Sequence, residues 1–156
     1  LTARSRDREL PQLDDFPYRM SDNVRFADLD PNNHVNNAVY ASYFETSRVT
    51  LMKDPARGLI PPGQAWVLVR LDIHFRSELH WPGTIELGIG LVKLGRTSAH
   101  FDQVVFSDGV CIASARAVNV LVDAVSRKPA PLSEQLTADL SRWWRRGFAE
   151  EAPTSS

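Results

Sequence analysis

Residues 24–48 read VRFADLDPNNHVNNAVYASYFETSR, and this stretch decides the architecture. Asp28, Asp30, Asn32, His34, Asn36 and Asn37 crowd together, and the pattern then turns helical. Tyr40, Tyr43, Phe44, Ser47 and Leu51 fall at i, i+3, i+4, i+7 and i+11, one stripe of a helix over about 37–53. Asn36 or Asn37 is placed to cap it, because a short side-chain oxygen accepts from the first free amides. Asp54-Pro55 and Gly58 close it. Polar groups this dense at a strand-to-helix junction cost free energy to bury, so packing alone does not account for them.

Outward from this segment the chain is mostly strand. Residues 16–28 hold the first, ending near Val24-Arg25-Phe26. After the helix, Val67, Val69, Leu71, Ile73 and Phe75 alternate with Leu68, Arg70, Asp72 and His74, which predicts a strand with one apolar face. Trp81-Pro82-Gly83 turns the chain, and Ile85, Leu87, Ile89 and Leu91 alternate next. Gly95-Arg96-Thr97 turns it again before a strand from Ser98 to Phe106. Ser107-Asp108-Gly109 is a hairpin signal, and Val110 to Val122 is apolar or small on both faces except at Arg116 and Asn119, so it belongs inside the sheet. Pro129 and Pro131 break the chain before a short helix capped by Ser133, with Leu136, Leu140 and Trp143 on one side.

Strands segregated from helices make an antiparallel sheet, and a single long apolar helix is buried when the sheet curls around it. The expected class is α+β: a five-stranded antiparallel sheet around one long central helix, with a short C-terminal helix. Residues 1–16 read as a poorly ordered arm, 17–149 as one domain and 150–156 as a tail. The sheet's open edge and outer face still need cover, which predicts a homodimer or homotetramer.

Composition bounds the function. The chain has 156 residues, enough for one domain with a real core, and a net charge of −1, which favours neither nucleic acid nor an anionic membrane. No apolar run reaches bilayer length, so a cytoplasmic protein is expected. The single cysteine, Cys111, lies in an apolar, small-residue run and reads as a buried hydrophobe. Asp28-x-Asp30-x-Asn32 imitates an EF-hand, but Asn33 and Val39 stand where that loop needs Gly and Glu. Asp28, Asp30 and His34 lack the paired-His spacing of a transition-metal site. Gly88-x-Gly90 opens no helix, so it is not a dinucleotide fingerprint. Trp143-Trp144-Arg145-Arg146 reads as a helix end packed on the sheet.

The element order and one motif together resemble the thioesterase branch of the hotdog fold, from 4-hydroxybenzoyl-CoA thioesterase to the plant acyl-ACP thioesterases. The motif is D-x-N-x-H-V-N-N, here Asp30, Asn32, His34, Val35, Asn36 and Asn37, followed by Tyr40, Tyr43, Glu45 and Arg48. The likeness covers roughly residues 18–132. Gly95-Arg96-Thr97-Ser98 is similar to the family's turn near the CoA phosphates. The benzoyl-type enzymes carry a Gly and an apolar residue where Asn33 and His34 stand, so their mechanism does not transfer whole.

The resemblance implies hydrolysis of an acyl-CoA or acyl-carrier-protein thioester, with no metal and no cofactor beyond the substrate's own CoA. Asp30 matches the family's catalytic aspartate. A carboxylate there activates water or attacks the thioester itself, although an Asp before Pro31 also caps turns. Asn32 and His34 match residues around the thioester, and His34 is placed to orient water, donate to the carbonyl or hold Asp30. The first helix amides, at Asn37 and Ala38, have no intrahelical acceptor and suit a developing oxyanion. Tyr40, Arg96, Thr97 and Ser98 are the expected substrate contacts, with Lys93, Arg127 and Lys128 as further basic groups for CoA. Glu45 is a reserve base, although pairing with Arg48 is its plainer role. His74, Arg76 and His80 have no role beyond CoA or subunit contact. Two other readings remain: a hotdog hydratase or dehydratase acting on enoyl thioesters, and a domain that binds acyl thioesters without turnover.

Overall fold

A computed structural model describes residues 10–148. β1 (Tyr18–Asn23) leads to α1 (Val39–Lys53), and then come β2 (Gln64–Phe75), β3 (Thr84–Leu94), β4 (Ser98–Ser107), β5 (Val110–Asp123) and α2 (Glu134–Leu140). The strands form one antiparallel sheet in the order β1-β3-β4-β5-β2. This is the hotdog arrangement, with α1 held against β3 and β4. All the residues of the expected helix stripe are buried, and Arg48 and Met52 join them.

Strand periodicity sets the two faces of the sheet. Ile85, Leu87, Val105, Ala113 and Ala115 pack with Tyr40, Tyr43 and Phe44 under the first half of α1. Leu91, Leu94, Phe101 and Leu121 pack with Leu51, Met52 and α2 under the second half. β5 is paired on both sides, by β4 and β2, as its apolar pattern requires. β2 is an edge strand with exposed Leu68, Val69 and Phe75, Val69 being 57% exposed.

Local boundaries differ from the sequence expectation. β1 ends at Asn23, because Val24 turns inward and Phe26–Asp28 forms a 3₁₀ turn in which Asp28 Oδ2 accepts from the Arg25 amide at 2.9 Å. α1 starts at Val39, because Asn36 Oδ1 accepts from the Ala38 amide at 2.9 Å and holds 36–38 as a turn.

Of the arm expected over 1–16, residues 10–16 are described and are placed against the domain. Residues 1–9 lie outside the described residues, Leu13–Asp15 is a 3₁₀ turn, and Phe16 is 1% exposed against Val104. Gly88 is the reason: a Cβ there would sit 2.9 Å from Val104 Cγ2 and 3.0 Å from Phe16 Cβ, so its hydrogen leaves the seat for the ring. Gly90 does the same for Arg145, and this accounts for the Gly-x-Gly pair. The tail expected over 150–156 lies outside the described residues.

Trp143 meets Tyr18 edge-on, and the Arg57 guanidinium lies over both rings, so the tryptophan cluster is indeed packed on the sheet. No helix among the described residues is long and apolar enough to cross a membrane.

Candidate active site

The loop between β1 and α1 folds back on itself. Leu29 and Val35 form an antiparallel bridge, the Asp30 amide donates to His34 O at 3.0 Å, and the Asn33 amide donates to Asp30 O at 3.0 Å. Asn33 sits at φ 62°, the left-handed region that Asn tolerates better than most side chains. The Val35 amide donates to Leu79 O and the Asn36 amide to Asp28 O, tying the loop to the segment before β3.

Within this frame Asp30 is half used. Its Oδ1 accepts from the Asn32 amide at 2.8 Å, an Asx turn. Its Oδ2 faces His34 Nδ1 at 3.8 Å, beyond hydrogen-bond reach, and both side chains are partly exposed. The carboxylate therefore has one oxygen fixed by the backbone and the other directed at the imidazole and solvent. Asn32 takes part through its amide, and its side chain has no partner among the described residues.

The helix start separates the two expected amides. The Ala38 amide is already bonded to Asn36 Oδ1. The Asn37 amide has no acceptor among the described residues and stands at the positive end of α1. Asn36 thus closes a turn just before the helix; the N-cap position is taken by Ala38, with no side-chain cap, so the cap expected at Asn36 or Asn37 is not formed, and Asn37 carries the free donor.

Behind the loop, Asp28 is structural: its Oδ2 accepts from Tyr43 Oη at 2.7 Å. Burial and the Asp28 carboxylate push the Tyr43 phenol far above its ordinary range. Tyr40 is buried edge-on against Phe75 at the end of β2, with ring centroids 5.2 Å apart. Burial, with Glu78 adding, pushes its phenol up to about 12, so it stays protonated.

Not every expected residue joins this group. Arg96, Thr97 and Ser98 form the β3–β4 turn, whereas the Asp30 loop is tied to Leu79 and Gly83 at the opposite end of β3. Eleven residues of strand, about 35 Å, keep them apart within one chain. Glu45 is an exposed residue on the second turn of α1, away from the loop. It makes no ion pair with Arg48, because the Arg48 guanidinium points inward to Gln103 Oε1 at 2.8 Å. Burial lowers the Arg48 pKa, with Glu45 opposing.

His80 was missed. Its ring stands 6.4 Å from that of His34, edge to face, and its Nδ1 lies 3.4 Å from Asn33 O. The turn at Trp81-Pro82 was legible, but not that it folds against the Asp30 loop. His74 and Arg76 lie elsewhere, in a cavity on the outer face of the sheet with Asp102, Arg116 and Arg145. Burial pushes the Cys111 thiol up, the wrong direction for a nucleophile. Among the described residues no group of three or more His, Cys, Asp or Glu is placed to hold a metal ion.

The comparisons agree with this fold. Residues 24–140 match the model of the thioesterase-like superfamily. A thioesterase from Thermus thermophilus, solved with coenzyme A and zinc, is 31% identical, covers 80% of this chain and 98% of its own, and superposes with a TM-score of 0.71. YbaW from Escherichia coli is 25% identical over 80% of this chain and 97% of its own, with a TM-score of 0.71. The PA5185 protein from Pseudomonas aeruginosa PAO1 shares the fold at a TM-score of 0.77, with 24% identity over 87% of this chain and 97% of its own. With the family model matched over most of the chain and a relative of 31% identity on the same sheet, the chain belongs to the hotdog-fold thioesterase-like superfamily.

Proposed function

We propose that this protein hydrolyses acyl-coenzyme A thioesters, with Asp30 at the centre of the reaction. The observation that carries the reading is the division of labour in the Asp30 carboxylate. Oδ1 is held by the Asn32 amide, and Oδ2 is left to work. The thioester carbonyl would accept from the Asn37 amide, where the helix dipole and the free N–H favour negative charge. Oδ2 takes a proton from water as its oxygen attacks the carbonyl carbon. The carbon–sulfur bond breaks, and the thiolate leaves with that proton as thiol. Direct attack by Oδ2 is the other route. It forms a mixed anhydride that water then opens, and the products are the same. His34 positions the reacting groups from the opposite side. The balance needs water and no further cofactor.

Coenzyme A as the thiol carrier is supported by the Thermus thermophilus relative, which was solved with it. An acyl-carrier-protein substrate is the alternative carrier. The working unit we propose is a homodimer or a homotetramer built from it, formed through the exposed β2 edge. An edge of 12 residues bearing Leu68, Val69 and Phe75 is a template for a second copy. Antiparallel pairing of β2 with β2 would also carry the partner's β3–β4 turn to the end of the sheet that holds this chain's Asp30 loop. Arg96, Thr97 and Ser98 would then serve the partner's CoA. A cytoplasmic setting completes the proposal, in keeping with a single, buried cysteine.

The test is thiol release from short, long and aromatic acyl-CoAs with wild type and Asp30→Asn. The asparagine keeps the turn to Asn32 and loses the base, so release should fall by about 10²–10⁴-fold. Undiminished release by Asp30→Ala would sink the assignment. Enoyl-CoA hydration without thiol release would favour the hydratase reading, and tight binding without turnover the binding domain.

A further inference from the structure

The inner face of the sheet carries polar groups that the loop chemistry does not use. A cavity of about 340 Å³ opens between α1 and the β2 side of the sheet, lined by Met52, Trp66, Leu68, Val49, Arg48 and Asn119. Two of these residues are out of place in an apolar wall. Arg48 is 7% exposed, and among the described residues it has one side-chain bond, to Gln103, and no carboxylate within ion-pair distance. Asn119 is 5% exposed, its Nδ2 is buried, and its carboxamide has no hydrogen-bond partner among the described residues.

Their placement is systematic. On β5, Ala115, Ala117, Asn119 and Leu121 share the face turned to the helix, and all but Asn119 are apolar. Gln103 is satisfied at both ends: its Nε2 donates to Phe44 O at 2.8 Å and to Ser47 Oγ at 2.7 Å, and its Oε1 accepts from Arg48 Nη1. The network thus ends in a guanidinium with spare donors, beside an amide that has none of its bonds made. Buried donors without acceptors are costly, and a ligand that supplies acceptors recovers that cost.

The occupant follows from continuity with the candidate site. Ala38, the residue before α1, and Ala41, Glu45, Val49 and Met52 follow one another at intervals of three or four along the helix. That stripe runs from the open amide end of the helix to the cavity, and its first members are small, leaving room for a chain laid against it. Glu45 and Lys53 stand at the cavity with opposite charges, so the rim adds little net field.

We propose that this cavity receives the acyl part of the thioester, and that Arg48 and Asn119 bind an acceptor oxygen carried on it: a hydroxyl, a keto group or a second carboxylate. The preferred substrates are then oxygenated acyl thioesters rather than plain alkyl ones. This rests on the thioester reading above and adds a specificity-determining pair to it.

The test uses non-hydrolysable CoA thioethers, so that binding is read apart from turnover. Plain S-alkyl-CoAs, from short to long, are titrated into the full-length protein beside length-matched hydroxy-, oxo- and carboxyalkyl partners. Wild type should bind one oxygenated class at least ~10-fold more tightly than its plain partner, because a site built to hydrogen-bond discriminates against an analogue lacking the group. Which arm wins names the oxygen. Asn119→Leu should bring that ratio close to one, and Asn119→Ala, which carries no risk of overpacking, should do the same.

Equal or tighter binding of the plain partners at every length overturns the inference, as does a ratio that survives both substitutions. A ratio that survives while sedimentation shows the assembly broken by Asn119→Leu also overturns it, and gives the cavity to a second copy of the chain. Thiol release from acyl-CoAs without any such preference removes this inference alone. A preference without thiol release removes the hydrolase reading alone.

Discussion

Asp30 Oδ2 and His34 Nδ1 face each other at 3.8 Å across the loop that opens α1. The gap is too long for a hydrogen bond. Since Oδ1 is already committed to the Asn32 amide, Oδ2 is left to meet water. In the proposed reaction the two act as a base and a positioning group, and at this separation they form no closed hydrogen-bonded pair.

His34→Gln should consequently cost less than Asp30→Asn. Loss of the imidazole leaves the carboxylate and the Asn37 amide in place, so kcat/KM for thiol release should fall about 10–100-fold, against the larger fall for Asp30→Asn. A His34→Gln loss equal to that of Asp30→Asn would place His34 in the proton transfer itself.

Asn33 stands at φ 62°, and substitution there separates backbone shape from side-chain chemistry. Asn33→Gly should fold and turn over like wild type. Asn33→Val should cost about 1–2 kcal/mol in chemical denaturation and lower activity by displacing Asp30 and His34, whose backbones this turn joins. Wild-type stability in the valine variant would refute the strain account.

Gln103 joins α1 to the sheet through Phe44 O, Ser47 Oγ and Arg48 Nη1. Gln103→Leu leaves the buried guanidinium without this acceptor, and stability should drop by about 2–4 kcal/mol. Replacing Arg48 by Met in the same chain should recover part of that loss, and a double-mutant cycle measures the coupling.

Gly90→Ala puts a methyl 2.8 Å from Arg145 Cβ and 2.9 Å from Arg145 Cα. Backbone cannot yield as a flexible side chain does, so the C-terminal segment must move off β3. Arg145 would then loosen its contact with Asp102, which is 2.6 Å in the native fold. A loss of about 1–3 kcal/mol is expected on thermal or urea unfolding, with no matching loss of kcat.

Alkaline pH should unfold the protein in a way that Tyr43 controls. Its folded pKa is raised above the ordinary value of 10.0 by burial and by Asp28. The protonated phenol is the form the fold favours, so its contribution is whole below about pH 10. Above that, the unfolded chain releases the proton first and stability falls as pH rises. Tyr40, raised to about 12, adds a second contribution of the same sign that ends near pH 12. Tyr43→Phe should flatten part of the slope above pH 10 in pH-dependent urea melts, at the cost of the Asp28 bond at every pH. An unchanged slope would show that Tyr43 titrates alike in both states.

The sequence by itself determined the elements and their faces. A helix stripe from Tyr40 to Leu51 and alternating strands can each bury an apolar side in only one way, so α1 and the succession of elements along the chain were readable in one dimension. The loop motif was readable too, because Asp30, Asn32, Asn33 and His34 bond among themselves over a few residues. What the tertiary structure decided involves partners far apart in the chain. His80 reaches His34 because the segment before β3 is pinned by Val35 and Val24, and no local pattern records that. Arg48 turns from Glu45 to Gln103, 55 residues away, because burial rewards an acceptor inside over a carboxylate in water. Register sends the Arg96 turn to the far end of β3, and the Asn36 side chain closes the Ala38 amide while leaving that of Asn37 open. Periodicity specifies which side of an element is buried, while only the pairing of strands specifies what it is buried against.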